Sequence, residues 1–136
     1  MKNNIAVVLG SFHKKESDEM LDEIEIFAKE NDINIAEVVW VPGSMEKPLA
    51  LKKLLEKSNI DGAVALGIIE RGETKHGLVM ANSVISAIIS LQLDLMKPIG
   101  VGILGPEIDP DQIPERVRPY AKASISAAHQ MLKQKN

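Results

Sequence analysis

Four short apolar runs, each followed by a segment with helical spacing, constrain the fold of this chain more than any other feature. Short unbroken apolar runs are typical of strands that are buried on both faces of a parallel sheet. Right-handed crossovers then place helices on both faces of that sheet. The sequence therefore predicts an α/β fold, a three-layer α/β/α sandwich around a flavodoxin-like, four-stranded parallel sheet of order 2-1-3-4. The predicted strands are Ile5–Leu9, Ile33–Trp40, Gly62–Ile69 and Ile99–Leu104.

The helices are predicted from apolar residues that recur three or four positions apart. The third helix covers Lys75–Leu95 and is stopped by Lys97-Pro98. Pro119 would break a continuous helix, so the last helix is predicted to begin there, with Arg116 just outside it. The preceding segment, Gly105–Pro119, contains four prolines and is predicted to be a loop. The apolar positions that define the other helices are Met20, Leu21, Ile24, Phe27 and Ala28 in the first, Leu51, Leu54 and Leu55 in the second, and Ile125, Ala128, Met131 and Leu132 in the last.

Length, charge and cysteine content exclude several classes of function. The 136 residues suit one domain over residues 1–136, and the net charge of −3 provides no basic surface for nucleic acid. Without cysteines there are no disulfides and no thiolate chemistry, and the three histidines lack the spacing of metal ligands. No signal pattern follows Met1, and polar residues interrupt the apolar stretch from Leu78 to Leu95. We therefore expect a cytoplasmic protein that neither binds nucleic acid nor spans a membrane.

The third helix is apolar around most of its circumference. Its polar positions form a narrow stripe, Ser83, Ser86, Ser90 and Asp94, while the apolar Val79, Ile89 and Leu93 lie away from the sheet. A helix of this kind needs a second surface to cover it. In so small a domain that surface is expected to be another copy of the chain, which predicts a homo-oligomer. The alternative is a helix that is covered by its own neighbours.

The segment from Ala65 to His76 carries the strongest indication of chemistry. It starts as the third strand and ends at the amino terminus of the third helix, which places Gly72, Thr74 and His76 at the carboxyl end of the strand. Unpaired N–H groups and the positive end of a helix dipole favour an anion such as phosphate there. A histidine beside a bound phosphate can transfer protons near neutral pH. We therefore predict an anion site with His76 as the acid–base residue.

The loops after the first and second strands open on the same edge of the predicted sheet. In them, Phe12 could stack on a planar heterocycle or plug the core, and Glu46 could bind hydroxyl groups or favour a helix amino terminus. Further along the chain, Arg116 could pair with phosphate through its fork of donors or remain an exposed arginine. His13 and His129 are predicted to be surface residues.

Two motifs, in this order and spacing, resemble a known family. The first is Val41-Pro42-Gly43-Ser44-Met45-Glu46-Lys47-Pro48, and the second is Arg71-Gly72-Glu73-Thr74-Lys75-His76. Together with Lys97-Pro98 and Glu115-Arg116 they resemble lumazine synthases (6,7-dimethyl-8-ribityllumazine synthases) over nearly the whole chain. The stretch with Gly105-Pro106 and Glu115-Arg116-Val117 is similar to archaeal-type members of that family. The resemblance implies the penultimate step of riboflavin synthesis. In that step 5-amino-6-(ribitylamino)uracil condenses with 3,4-dihydroxybutan-2-one 4-phosphate to give 6,7-dimethyl-8-ribityllumazine, phosphate and water.

The resemblance also implies how the enzyme is built. It implies no metal or redox cofactor, and a pentamer, or an assembly of pentamers, whose sites are shared between subunits. By matching positions, His76 would transfer protons. The phosphate would be held by Gly72, Glu73 and Thr74, together with Arg116 and Lys122 of a neighbouring subunit. The pyrimidine and its ribityl chain would contact Phe12, Ser44, Met45, Glu46, Ile68, Ile69 and Glu70, with Val101 also coming from the neighbour.

Several positions depart from the family pattern and keep two other functions open. Met45 and Val101 stand where aromatic residues are usual, His13 replaces an asparagine, and Glu70 replaces an apolar residue. Losing stacking partners could weaken pyrimidine binding by about 0.5–1.5 kcal/mol each.

One alternative is a catalytically weak homologue that binds flavin or lumazine or forms a shell, and the intact Gly72–His76 segment argues against it. The other is the related archaeal-type riboflavin synthase, which would not be expected to keep the phosphate segment.

Overall fold

The computed structural model describes residues 2–134 and contains a four-stranded parallel sheet in the order β2-β1-β3-β4. The strands are β1 (Asn3–Gly10), β2 (Ile33–Val41), β3 (Gly62–Glu70) and β4 (Ile99–Ile108). The helices are α1 (Lys14–Glu30), α2 (Lys47–Leu55), α3 (His76–Leu95) and α4 (Val117–Lys133), with short 3₁₀ turns at Ser44–Glu46 and Pro110–Gln112. The strand order, the parallel pairing and the helices on both faces confirm the predicted fold class.

The strand side chains alternate between two cores, as the two-residue period of a strand requires. Ile5, Val7 and Leu9 of β1 pack against α1 and α4, whereas Ala6 and Val8 pack against α2 and α3. All five side chains are fully buried. Burial on both faces explains why the central strands are unbroken apolar runs in the sequence. With both faces covered by helices, the carboxyl edge of the sheet is the natural place for a ligand.

The end of β4 differs from the sequence prediction. The strand continues past Gly105 to Ile108 because its last residues pair with the end of β3, and the N–H of Arg71 donates to the carbonyl oxygen of Ile108 at 3.0 Å. Gly105 has a φ of 97°, and a side chain there would collide with the carbonyl oxygen of Ile69. The glycine and proline thus occur within a strand, and the prediction that a loop begins at Gly105 was wrong.

The last helix begins two residues earlier than the sequence predicts. It starts at Val117, so Pro119 occupies its third position. The prediction was wrong because the first turn of a helix has no intrahelical acceptors for its N–H groups, and a proline there loses no hydrogen bond. Arg116 is the N-cap residue and stands just outside the helix, as predicted.

The third helix packs on the sheet with only part of its surface. Ala81, Val84 and Ile88 of α3 are buried, whereas Val79 and Leu93 are 62% and 70% exposed. By length and composition alone, α3 is long and apolar enough to cross a membrane. One helix of this kind is weak evidence for a membrane span, and the expectation from sequence is not overturned by it. In the structure α3 covers one face of the sheet together with α2, and its outward apolar side chains are left without cover from the chain itself.

Candidate active site

The loops that follow β1 and β2 are tied together at the carboxyl edge of the sheet. The N–H of Ser11 donates to the carbonyl oxygen of Val41 at 2.8 Å, and the N–H of Phe12 donates to the carbonyl oxygen of Pro42 at 3.3 Å. Between these loops and the end of β3 lies a cavity of about 370 Å³, which is within the range of small-molecule sites. The cavity is lined by Gly10, Phe12, Pro42, Gly43, Ser44, Met45, Glu46, Lys47, Ile68, Ile69 and Met80.

This cavity brings together most of the residues that were predicted to contact a pyrimidine. They are Phe12, Ser44, Met45, Glu46, Ile68 and Ile69. The side chain of Phe12 is 72% exposed, so it does not plug the core and is available to a ligand. Two other predicted contacts, Glu70 and Val101, are not part of the lining. Val101 is half-buried against the core beneath α2 and α3.

Glu70 makes a contact with His13 that the sequence did not indicate. Its Oε1 atom lies 3.3 Å from Nε2 of His13, and the ring of His13 meets the ring of Phe12 edge-on at 5.1 Å. The side chain of His13 is only 19% exposed, so the prediction of a surface histidine was wrong. Because β1 and β3 are paired, the loop after β1 lies near the end of β3. Which side chain contacts His13 could not be predicted from sequence, because it depends on the conformation of this loop.

The other presumed surface histidine, His129, is also partly buried. Its ring meets Phe27 edge-on at 6.0 Å, and its Nδ1 atom is buried without a hydrogen-bond partner in the described residues. Burial lowers the pKa of His129, and the charge of Lys133 lowers it further. The residue does not line the cavity. Among residues 2–134, no cluster of three or more ligand-type side chains could hold a metal ion.

The segment between β3 and α3 is exposed from Arg71 to His76. The hydroxyl of Thr74 accepts a hydrogen bond from the N–H of His76 at 3.3 Å. The N–H groups of the next two residues, Gly77 and Leu78, have no acceptor within residues 2–134, as expected in the first turn of a helix. This helix end can therefore receive an anion, with the imidazole of His76 in the same turn. The cavity adjoins it, because the lining includes the last apolar residue of β3 and Met80, one turn into α3.

The two predicted phosphate ligands outside this segment do not reach the cavity of their own chain. Arg116 donates from Nη1 to the carbonyl oxygen of Gln112 at 2.9 Å and to Oε1 of Glu115 at 2.8 Å. Lys122 is exposed on α4. Neither side chain lines the cavity.

Lys47 is a cavity residue that sequence reasoning missed. Its side chain is 1% exposed, and its Nζ donates to Oγ of Ser44 at 3.0 Å. Burial lowers the pKa of Lys47 to about 8, while the charge of Glu46 acts in the opposite direction. The signal was present in the sequence: Lys47, Leu51 and Leu54 follow helical spacing, which places the lysine on the buried face of α2.

Comparisons with known proteins find relatives that match nearly the whole chain. A family model described as 6,7-dimethyl-8-ribityllumazine synthase matches residues 2–136. The 6,7-dimethyl-8-ribityllumazine synthase of Metallosphaera sedula is 36% identical over 127 residues, which cover 93% of this chain and 84% of the relative. The synthase of Saccharolobus islandicus is 36% identical over 124 residues, covering 91% and 80%. The synthase of Staphylothermus marinus is 34% identical over 128 residues, covering 94% and 85%.

Proposed function

The chain belongs to the 6,7-dimethyl-8-ribityllumazine synthase family, and we propose that it condenses 5-amino-6-(ribitylamino)uracil with 3,4-dihydroxybutan-2-one 4-phosphate. The products are 6,7-dimethyl-8-ribityllumazine, phosphate and water. The observation that carries the proposal is the junction of a largely apolar cavity with the exposed amino terminus of α3. A planar heterocycle suits the cavity and a phosphate suits the helix end, and this pair of substrates supplies both groups.

The pyrimidine substrate occupies the cavity. Its ring stacks on Phe12 and packs against Ile68 and Ile69, and the hydroxyl groups of its ribityl chain bond to Ser44 and Glu46. The shared position of these side chains in one cavity supports the assignment. Met45, whose side chain is 59% exposed, adds a flexible apolar contact in place of an aromatic one. Glu70 stands beside the cavity, at the end of β3.

The four-carbon substrate places its phosphate at the segment before α3. The N–H groups of Gly72 and Glu73 point at the phosphate, and the hydroxyl of Thr74 donates to it. Thr74 Oγ1 already accepts from the N–H of His76, so its own proton is free for this second bond. The carboxylate of Glu73 is exposed and turns to solvent, which avoids repulsion between two anions.

His76 transfers the protons of the reaction. The amine of the pyrimidine substrate attacks the ketone, and a first water leaves as the imine forms. Loss of a proton and of the phosphate then leaves an enol, which tautomerises to a carbonyl. The ribityl-bearing nitrogen adds to this carbonyl, and a second water leaves as the ring closes. Each step moves a proton at a nitrogen, oxygen or carbon atom, and imidazole is suited to this near neutral pH. The position of His76 in the first turn of α3, next to the proposed phosphate ligands, supports this role.

The active unit is a cytoplasmic homo-pentamer of single-domain subunits, each comprising residues 1–136. Arg116 and Lys122 bind the phosphate of a neighbouring subunit, and Val101 contacts the neighbour's pyrimidine. The exposed apolar side chains of α3 lack cover within one chain, and this supports association with another subunit.

The proposed reaction is tested by incubating the protein with both substrates and following the absorbance of the lumazine. Each substrate alone serves as the control, and mass spectrometry identifies the product. Formation of 6,7-dimethyl-8-ribityllumazine that needs both substrates is the expected result. Binding of lumazine without turnover would contradict the proposal in favour of a ligand-binding homologue. Riboflavin formed from lumazine alone would contradict it in favour of riboflavin synthase.

A further inference from the structure

Lys47 is a buried cation with few partners in its own chain. Lysine is almost never fully buried unless it is paired. Within residues 2–134 the Nζ of Lys47 forms a hydrogen bond to Ser44 and no ion pair. An ammonium group has three N–H donors, so two of them have no acceptor in the described chain. Buried donors without acceptors are costly, which indicates that a partner is missing.

Two glycines on neighbouring strands make room for this ammonium group. A β-carbon on Gly10, at the end of β1, would lie 3.1 Å from Nζ of Lys47. A β-carbon on Gly67, in β3, would lie only 2.5 Å from the same atom. Any larger residue at Gly67 would therefore push the ammonium group out of its position. The missing side chains of Gly10 and Gly67 thus leave a space that the ammonium group of Lys47 occupies.

The missing acceptor can come from a ligand in the cavity. Lys47 belongs to the cavity lining, whose other polar side chains are those of Ser44 and Glu46. The rest of the lining is apolar or backbone and includes the phenyl ring of Phe12 and two isoleucines of β3. A flat ligand that fills such a cavity and carries oxygen acceptors on its edge would satisfy the two free donors.

We propose that Lys47 is a further substrate-binding residue, whose ammonium group donates hydrogen bonds to an oxygen of the pyrimidinedione substrate. This inference rests on the proposed function. The pyrimidinedione is favoured over the phosphate because the phosphate segment lies beyond β3, at the start of α3, and contributes none of its residues to the cavity lining. The carbonyl oxygens of the ring are acceptors, and a buried cation also favours ring forms that carry negative charge. Burial lowers the pKa of Lys47 to about 8, so the ammonium form still predominates at neutral pH.

The first test replaces Lys47 by methionine, which keeps the apolar stem and deletes the ammonium group. Lys47→Met is expected to weaken the affinity for 5-amino-6-(ribitylamino)uracil, measured by fluorescence titration, about 10- to 100-fold, as for loss of a hydrogen bond to a charged group. The KM for the four-carbon phosphate is expected to stay within about 2-fold. The matched control is Lys52→Met, which removes an exposed lysine of the same helix and should leave both constants unchanged. Unchanged pyrimidine affinity in a folded Lys47→Met protein would overturn the inference.

A second test uses the glycine that faces the ammonium group. Gly67→Ala should weaken pyrimidine binding in the wild-type background, because its β-carbon displaces Nζ. The same substitution should have little further effect in the Lys47→Met background, where that atom is gone. Equal losses in both backgrounds would contradict the inference. These titrations measure binding and need no turnover. A wild-type protein that binds the pyrimidine but forms no lumazine would therefore refute the proposed function alone. The role of Lys47 is decided separately, by the Lys47→Met titration.

Discussion

Nε2 of His13 lies 3.3 Å from Oε1 of Glu70, and this contact joins the loop after β1 to the end of β3. Both residues depart from the pattern of the family that the sequence resembles, in which asparagine and an apolar residue are usual at these positions. The structure accounts for the two departures together, because each supplies the partner of the other. Since the ring of His13 also contacts Phe12, the pair holds the residue that is proposed to stack on the pyrimidine.

The His13–Glu70 pair is expected to show energetic coupling. The singly substituted His13→Asn and Glu70→Gln proteins and the double variant form a double-mutant cycle, measured by urea unfolding. We expect a coupling of about 0.2–1 kcal/mol, because the two side chains are 19% and 35% exposed and solvent screens the pair. Each single variant should also raise the KM for the pyrimidine substrate a few-fold through Phe12. Strictly additive effects on both quantities would show that the pair does not act as a unit.

His76→Gln is expected to slow turnover without disturbing assembly. Loss of a positioned acid–base group should lower kcat by about 10²- to 10⁴-fold. The residue is exposed, so its replacement should change the free energy of unfolding by less than about 0.5 kcal/mol. Steady-state kinetics and native mass spectrometry measure the two effects. Lys75→Gln, one position before it, is the control and should behave as wild type; a similar fall in kcat for both variants would contradict the role of His76.

Arg116→Gln is expected to affect the phosphorylated substrate. Loss of a charge-assisted contact should raise the KM for the four-carbon phosphate about 10- to 100-fold, with a much smaller effect on the pyrimidine. The control is Arg118→Gln, because Arg118 is engaged with Asp22 at 2.9 Å and Glu23 at 3.3 Å on α1. Equal KM values in the two variants would argue against the phosphate assignment. Urea unfolding checks that loss of the bond from Arg116 to Gln112 has not unfolded the loop.

Leu93→Glu is expected to dissociate the assembly. The side chain is 70% exposed in the single chain and would be buried at the proposed subunit interface, where an unpaired carboxylate is costly. Light scattering should then detect a smaller species, with lower activity at the same subunit concentration. Lys15→Glu, at an exposed position of α1, introduces the same side chain and should leave the mass of the assembly unchanged. A Leu93→Glu protein with wild-type mass and activity would refute the interface.

The buried Lys47 should make stability rise with pH in the alkaline range. Its pKa is lowered from 10.5 to about 8 in the folded protein, so between these values the unfolded chain binds more protons and the folded state gains stability as pH increases. Below about pH 8 both states are protonated and the full cost of burying the charge remains, on the order of 3 kcal/mol. Urea unfolding from pH 7 to pH 10, at one subunit concentration, should show this rise in wild type. The Lys47→Met protein should be more stable at pH 7 and lack that part of the rise; parallel curves would contradict the prediction.

The fold was predictable from sequence because β1 and β3 are buried on both faces. Their unbroken apolar runs leave little choice but a parallel sheet with helices on each side. The end of β4 was not predictable in the same way, because its course past Gly105 depends on pairing with β3 and on a close approach to Ile69. The start of α4 was predicted at the wrong residue, because a proline in the first turn of a helix cannot be told from a helix-breaking proline by sequence alone.

The grouping of the candidate site's residues was predictable where it depends on strand order, and less so where it depends on side-chain direction. Sheet topology places the loops that carry Phe12 and Glu46 on the edge where β3 ends, and their common cavity follows from it. The burial of Lys47 was readable from helical spacing, but its position beside Gly67 was not, since that contact depends on how α2 lies on the sheet. The His13–Glu70 contact likewise depends on the conformation of a loop.

The helix α3 begins at His76 and exposes Val79 and Leu93 further along. His76, which is proposed to transfer protons, and the proposed subunit interface are therefore parts of the same helix. If dilution separates the subunits, α3 would lose the partner surface that covers its apolar side chains. In the same event the site would lose Arg116, which the neighbouring subunit is proposed to supply. Specific activity should then fall steeply, and not gradually, below the concentration at which the proposed pentamer dissociates.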